Sequence, residues 1–282
     1  MVPFTPVVSV KLVVPYTRPE AIAEPFRTED FLTSGFTIPQ TGAIPGLRFR
    51  RLTTLSLAGH RTELAFCFAS DRTGPFHLYV RDASGAGNDE MLYQSKNWCL
   101  PNDWSPNNQY ILFFEVDPKT KYDLWVLRLS EPKKAFPFLV TEANEANARF
   151  SPDGKWVAYA SDESGQPEVY VQPFLAEKSG KWQVSTNGGF TPGWSKDGKE
   201  LFYLSQDNQI MCSAVKPGSV FESTVPKPLF AIHPYYVRRI AGWNDVFEPA
   251  PDGRFAVHAA LASSPPNITV ILNWPILLNP KK

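Results

Sequence analysis

The chain has 282 residues, with 28 lysines and arginines balanced by 28 aspartates and glutamates. Zero net charge removes the electrostatic case for nucleic acid or an anionic membrane surface as partner. Twenty-seven prolines and an aromatic content of 13% disfavour long helices and suit a loop-rich all-β chain.

Residues 1–55 form an irregular, proline-rich stretch, with prolines at 3, 6, 15, 19, 25, 39 and 45. They read as a degenerate repeat, a linker, or a segment that does not order. Within them Val7–Val14 reads as a strand. It is too short to cross a bilayer, Lys11 interrupts it, and no basic residue precedes it as in a secretory signal. No other run is long and apolar enough for a membrane span.

From residue 56 onward one phrase returns. It stands as Trp104-Ser105-Pro106-Asn107-Asn108-Gln109-Tyr110-Ile111, then as Phe150-Ser151-Pro152-Asp153-Gly154-Lys155-Trp156-Val157, then as Trp194-Ser195-Lys196-Asp197-Gly198-Lys199-Glu200-Leu201. A weaker copy is Pro249-Ala250-Pro251-Asp252-Gly253-Arg254-Phe255. The anchors Trp104, Phe150, Trp194 and Pro249 lie 46, 44 and 55 residues apart. Upstream, Ala69-Ser70-Asp71-Arg72-Thr73-Gly74 precedes its twin Ala160-Ser161-Asp162-Glu163-Ser164-Gly165 by 91 residues, which puts the anchor of a fifth copy at Gly59.

Each unit carries four short extended runs. In the second these are the anchor strand, Tyr110–Glu115, Asp123–Arg128 and Phe138–Thr141. In the third they are Asn147–Phe150, Trp156–Ala160, Glu168–Gln172 and Trp182–Ser185, and in the fourth Glu200–Ser205 and Gln209–Val215 follow the anchor. Pro-Asp-Gly between the first two runs is turn chemistry. Runs apolar on both faces, such as Ile111-Leu112-Phe113-Phe114, suit sheets packed on both sides. A period of about 40–45 residues with four strands per unit predicts an all-β fold. That fold is a β-propeller of four-stranded antiparallel blades, five recognisable and an incomplete sixth. Residues 56–282 form the propeller and residues 1–55 the irregular segment. Such a ring closes by pairing strands from the two chain ends, and Val7–Val14 is the expected partner of Ile268–Leu272.

The chain lacks the motifs that carry chemistry. Gly-x-Ser-x-Gly does not occur, and Gly193-Trp194-Ser195-Lys196-Asp197 lacks the second glycine. His60, His77, His233 and His258 are scattered. Cys67, Cys99 and Cys212 give neither a zinc spacing nor a disulfide framework, although one bridge such as Cys67–Cys99 stays open. No dense Asp/Asn loop calls for calcium. Asp117, Asp162 and Glu163 fall in turns, where carboxylates cap backbone amides. No catalytic residue, metal ligand or cofactor site is assigned.

One constellation points to binding. The first strand of each blade lines the central channel, and the residue before each anchor is Asp103, Arg149, Gly193 and Glu248 in turn. Asp103 and Arg149 then become neighbours of opposite charge. They serve either as an ion pair that fixes blade packing or as part of a polar ring that receives a ligand or a peptide end. Loops entering these strands add Trp98, Asn102, Asn144, Asn147, Asn187, Phe190 and Asn244, which combine hydrogen bonds with flat apolar faces. The binding candidates are Asp103, Arg149, Glu248, Trp98, Asn102, Asn147 and Phe190.

From about Ala65 to Trp274 the chain resembles the TolB-like, WD-repeat-like β-propellers of bacteria. It is most similar to the C-terminal propeller of multidomain bacterial serine/threonine protein kinases, many of them acidobacterial. The phrases that carry this are Asp103-Trp104-Ser105-Pro106, Tyr122-Asp123-Leu124-Trp125-Val126-Leu127, Arg149-Phe150-Ser151-Pro152-Asp153-Gly154, Glu168-Val169-Tyr170-Val171-Gln172-Pro173-Phe174, Lys181-Trp182-Gln183-Val184 and Ile268-Thr269-Val270-Ile271-Leu272-Asn273-Trp274. The resemblance implies a non-catalytic propeller that binds a protein, peptide or small ligand at its channel face, as a sensor or scaffold in signalling. It implies an extracytoplasmic, periplasmic setting, whereas the missing signal segment implies the cytoplasm. The glycine-rich loop, His-Arg-Asp and Asp-Phe-Gly of a kinase are absent. Two other readings are a hydrolase or lyase acting in the channel and a truncated fragment with no independent role.

Overall fold

A computed structural model describes residues 10–15, 58–59, 65–82, 87–175, 180–232, 246–249 and 254–259. These residues form strands and turns, with no helix among them. After β1 (Val10–Pro15) come β2 (Ala58–Gly59), β3 (Ala65–Ser70), β4 (His77–Asp82) and β5 (Glu90–Tyr93), which make the first sheet. The second sheet is β6 (Trp98–Trp104), β7 (Tyr110–Asp117), β8 (Lys121–Arg128) and β9 (Lys134–Leu139). The third is β10 (Glu145–Phe150), β11 (Trp156–Ser161), β12 (Glu168–Pro173) and β13 (Trp182–Gln183). The fourth runs β14 (Phe190–Trp194), β15 (Glu200–Leu204) and β16 (Gln209–Lys216), and β17 (Glu222–Ser223) and β18 (Lys227–Ala231) divide the outer edge of β16 between them. Last come β19 (Phe247–Pro249) and β20 (Arg254–Ala259).

Every pairing is antiparallel, and apart from β18 on β16 all but one join neighbours in sequence. The fifth sheet has the order β19–β20–β1, so a strand from the start of the chain takes the third place beside strands from its end. Val10 pairs with Ala259 and Pro15 with Arg254. The expected tie between the chain ends therefore uses Arg254–Ala259, whereas Ile268–Leu272 lies outside the described residues. The physical reason is local. Arg254–Ala259 is the second strand of its repeat, and its edge away from β19 needs a ladder partner. The rest of residues 1–55 also lies outside the described residues.

The recurring phrase builds the same hairpin in the second, third and fourth sheets. The Ser151 hydroxyl accepts from the Trp156 amide at 2.9 Å and donates to Asp153 Oδ1 at 2.6 Å, and the Gly154 amide donates to the Ser151 carbonyl at 2.9 Å. Ser105 repeats this with Tyr110 N at 2.9 Å and Asn107 at 2.7 Å, and Ser195 repeats it with Glu200 N at 2.9 Å and Asp197 at 2.8 Å. Gly154 and Gly198 have φ of 71° and 70°, and Asn108 takes the same place at 58°. This left-handed conformation is open to glycine and tolerated by asparagine. The inferred anchor Gly59 lies on β2, paired with Phe66.

Side chains from both faces of the second, third and fourth sheets fill the seams between sheets. Ile111, Leu112, Phe113 and Phe114, consecutive on β7, are all fully buried, each worth roughly 1.5–3 kcal/mol of transfer free energy. One apolar cluster joins the first three sheets. A second, with Val169, Val171, Trp194, Leu201 and Phe221, joins the third to the fourth, and a third, with Phe202, Leu204, Phe247 and Phe255, joins the fourth to the fifth. The innermost strands β2, β6, β10, β14 and β19 lie side by side in that order.

Candidate functional site

Four residues occupy one register position on successive innermost strands. Asp103 pairs with Leu112, Arg149 with Ala158, Gly193 with Phe202 and Glu248 with Ala256. Just before this position β6, β10 and β14 each break register, between Pro101 and Asp103, between Ala146 and Arg149, and between Phe190 and Gly193. An extra residue there bends the strand and frees backbone groups from the ladder. Asn147 and Thr191 adopt φ of 55° and 45° in the bulges. For the β-branched Thr191 that conformation costs on the order of 1–3 kcal/mol, and its hydroxyl is buried without a partner.

The freed groups are taken up by the neighbouring sheet. Arg149 Nη1 donates to the Asn102 carbonyl in the β6 bulge. In return Asp103 accepts from the Trp104 amide and, across the seam, from the Phe150 amide, both at 2.8 Å. The Trp194 indole then donates to the Arg149 carbonyl at 3.2 Å. An innermost strand has one edge without a ladder partner, and these side chains satisfy it. The structure thus brings Asp103, Arg149 and Asn102 together, each charged side chain holding the backbone of the other's strand. Gly193 fits the same series by being small, because a Cβ there would lie 3.1 Å from Pro249 Cδ.

The remaining sequence candidates spread along the same strands. Asn102 is 3% exposed and its Oδ1 has no partner. Asn147 is half-buried and Phe190 is buried at the start of β14. Trp98, at the start of β6, is 49% exposed and rests edge-on against Phe76 at 5.0 Å between ring centroids. Glu248 is exposed on β19. Asn187 is exposed, and Asn244 lies outside the described residues. Asn144 is engaged elsewhere, with its amide and side chain donating to Asp162 at 2.7 and 2.6 Å.

Of the turn carboxylates, Asp117 and Asp162 take backbone amides as their positions predict, and Glu163 does not. Asp117 accepts from the Lys119 and Thr120 amides at 2.7 and 3.2 Å, and these bonds hold its carboxyl below the usual range. Glu163 pairs with Lys181 at 2.5 Å. Ser195 is committed to its hairpin. Cys67 and Cys99 are free, so the bridge that their spacing left open is not formed, and burial pushes both thiols far up.

Sequence reasoning missed a set of buried acids. Glu168, buried on β12, takes the Ser185 hydroxyl and the Gly188 amide, the latter at 2.9 Å. Glu115 on β7 takes Ser95 at 2.8 Å and Asn97 at 3.0 Å. Asp123 on β8 and Glu145 on β10 are 1% and 0% exposed. A signal was present in Asp123-Leu124-Trp125-Val126 beside Glu168-Val169-Tyr170-Val171, where an acid opens the third strand in two successive units.

Taken together, the register, the sheet order and the seams define a β-propeller. A protein from Agrobacterium tumefaciens described as a TolB superposes with a TM-score of 0.54 at 15% identity, covering 73% of this chain and 74% of that one. TolB from Acinetobacter baumannii superposes with a TM-score of 0.50 at 19% identity, covering 74% of this chain and 55% of that one, so this chain spans about half of its length. No protein-family model matches the chain, and no curated protein matches it. Among the described residues no helix is long and apolar enough to cross a membrane.

Proposed function

We propose that this chain is a non-catalytic propeller that binds a peptide, protein segment or small ligand at the channel face of its bulged innermost strands. It acts there as the sensing or scaffolding part of a bacterial signalling system of the serine/threonine-kinase type. The observation that carries the reading is the shared register of Asp103, Arg149, Gly193 and Glu248 beside the bulges. This places polar groups and irregular backbone together, with the exposed Trp98 ring on one of the same strands. A few placed polar groups beside aromatic surface are what a binding site needs. The commitment of the recurring serines to hairpin turns favours binding over a channel hydrolase or lyase. Placement outside the cytoplasm rests on the resemblance to kinase-linked propellers.

A thermal-shift screen of the purified chain against peptide and small-molecule panels tests the reading, with hits titrated calorimetrically against Trp98→Ala and Glu248→Gln. Both side chains are exposed, so neither change should unfold the protein. Loss of Trp98 should weaken a genuine channel-face ligand about tenfold or more. Hits that bind both variants as tightly as the parent place the site elsewhere. Turnover of a peptide, ester or glycoside that Asp103→Asn abolishes would replace the binding reading with an enzymatic one.

A further inference from the structure

The seam between the second and third sheets holds two acids that the binding reading does not use. Asp123 of β8 and Glu145 of β10 meet on Thr141, in the connection between the two sheets. Glu145 Oε1 accepts from the Thr141 hydroxyl, and the Thr141 amide lies on the side of Asp123, where it favours the charged carboxylate. Thr120 donates to Asp123 Oδ2 at 2.5 Å. Two acceptors are left over: Asp123 Oδ1 and Glu145 Oε2 are buried and have no hydrogen-bond partner. A bare carboxylate oxygen sealed from water is unfavourable unless something positive joins it.

The charges around these groups are mostly acidic. Asp162 and Glu163 follow β11 and disfavour a negative charge on Glu145, as Asp117 and Glu115 of β7 do on Asp123. Tyr159 of β11 faces the same acids. Lys181 is drawn to Glu163, and Arg149, on the same strand as Glu145, reaches instead toward the Asn102 carbonyl of β6. β14, also against β10, carries no titratable side chain across Phe190–Trp194. Among the described residues no three His, Cys, Asp or Glu side chains gather to hold a metal ion. A proton is the cation that fits.

We propose that Glu145 is built into this seam as a neutral acid, and that Asp123, Thr141 and Glu145 form a clasp between the second and third sheets that loosens when the proton leaves. Burial, followed by the neighbouring acids, pushes the Glu145 carboxyl up to about 7 against the opposing Thr141 bond. Between the ordinary glutamate value and about 7 the folded chain keeps a proton that the unfolded chain has released. Stability is therefore highest at the acid end of this window and is lost as pH rises through it.

Scanning calorimetry across about pH 5 to 8.5 tests the proposal with the full chain and with Glu145→Gln, which keeps the shape and fixes the neutral state. The parent should lose on the order of 5 °C of melting temperature between the two ends of the range. Glu145→Gln should hold its melting temperature and exceed the parent at the alkaline end. An infrared band of a protonated carboxyl, present in the parent at about pH 6 and absent in the variant, is expected even if the variant's melting is not reversible. Parallel pH slopes in parent and variant overturn the clasp, as does absence of the infrared band. Stabilisation of the parent, but not of Glu145→Gln, by calcium at alkaline pH also overturns it, in favour of a metal site.

Discussion

Replacing Ser151 by alanine tests why the repeat exists. Its hydroxyl is buried, accepts from the Trp156 amide at the first residue of β11, and donates to Asp153. Alanine leaves the half-buried Trp156 amide without its side-chain partner and frees Asp153, whose half-exposed carboxylate is recovered by water. A lost hydrogen bond is worth about 0.5–1.5 kcal/mol, and the unsatisfied donor adds to it, so about 2 kcal/mol of stability should go. For a chain of this size that lowers the melting temperature by about 4–8 °C. Ser105→Ala and Ser195→Ala remove the same pair of bonds at the same place in the neighbouring sheets, Ser105 with a further long bond from the Gln109 amide, which Asn107 Oδ1 also accepts. The three variants should therefore lose the same stability within about 0.5 kcal/mol in a calorimetric or urea-unfolding series. Losses below about 0.5 kcal/mol at all three sites would refute the reasoning, since the phrase would then recur for some reason other than the hairpin clamp.

Asp103→Ala should cost about 2–4 kcal/mol, because it strips the acceptor from two amides at once. Hydrogen exchange at the Phe150 amide, on the neighbouring sheet, should accelerate more than at other β10 amides. Gly193→Ala should cost about 1–3 kcal/mol through overpacking, because its Cβ meets the rigid Pro249 ring at 3.1 and 3.2 Å. Crystallography of that variant should show β19 displaced from β14.

The parts of the fold legible in the sequence are those set by neighbours in the chain. Pro-Asp-Gly, the serine ahead of it and the apolar run behind it are local chemistry, so the hairpins and the hidden anchor at Gly59 could be placed from the period alone. The fourth strands were harder. The expected Phe138–Thr141 is Lys134–Leu139 in the structure, because an outer strand is partly exposed and contains Pro137, which blurs its apolar pattern. The bulges left one faint mark, the asparagine at 147, and Thr191 left none. Shared register of Asp103 and Arg149 followed from counting, but their hold on each other's backbone did not, because it depends on carbonyls freed by those bulges. Glu145 looks like any loop-edge acid until β8, about half a repeat earlier in sequence, closes over it.

The fifth sheet has a mechanical consequence. Val10 of β1 lies opposite Ala259 of β20, so the chain enters the one strand and leaves the other at the same end of an antiparallel ladder. Tension applied at Val10 and Ala259 is thus not shared across all the rungs. It concentrates on the Val10–Ala259 rung and opens the ladder like a zip, one pair after the next, toward Pro15 and Arg254. Pulled this way, β1 and β20 part rung by rung, whereas a pull along the two strands in opposite senses would load all six rungs at once.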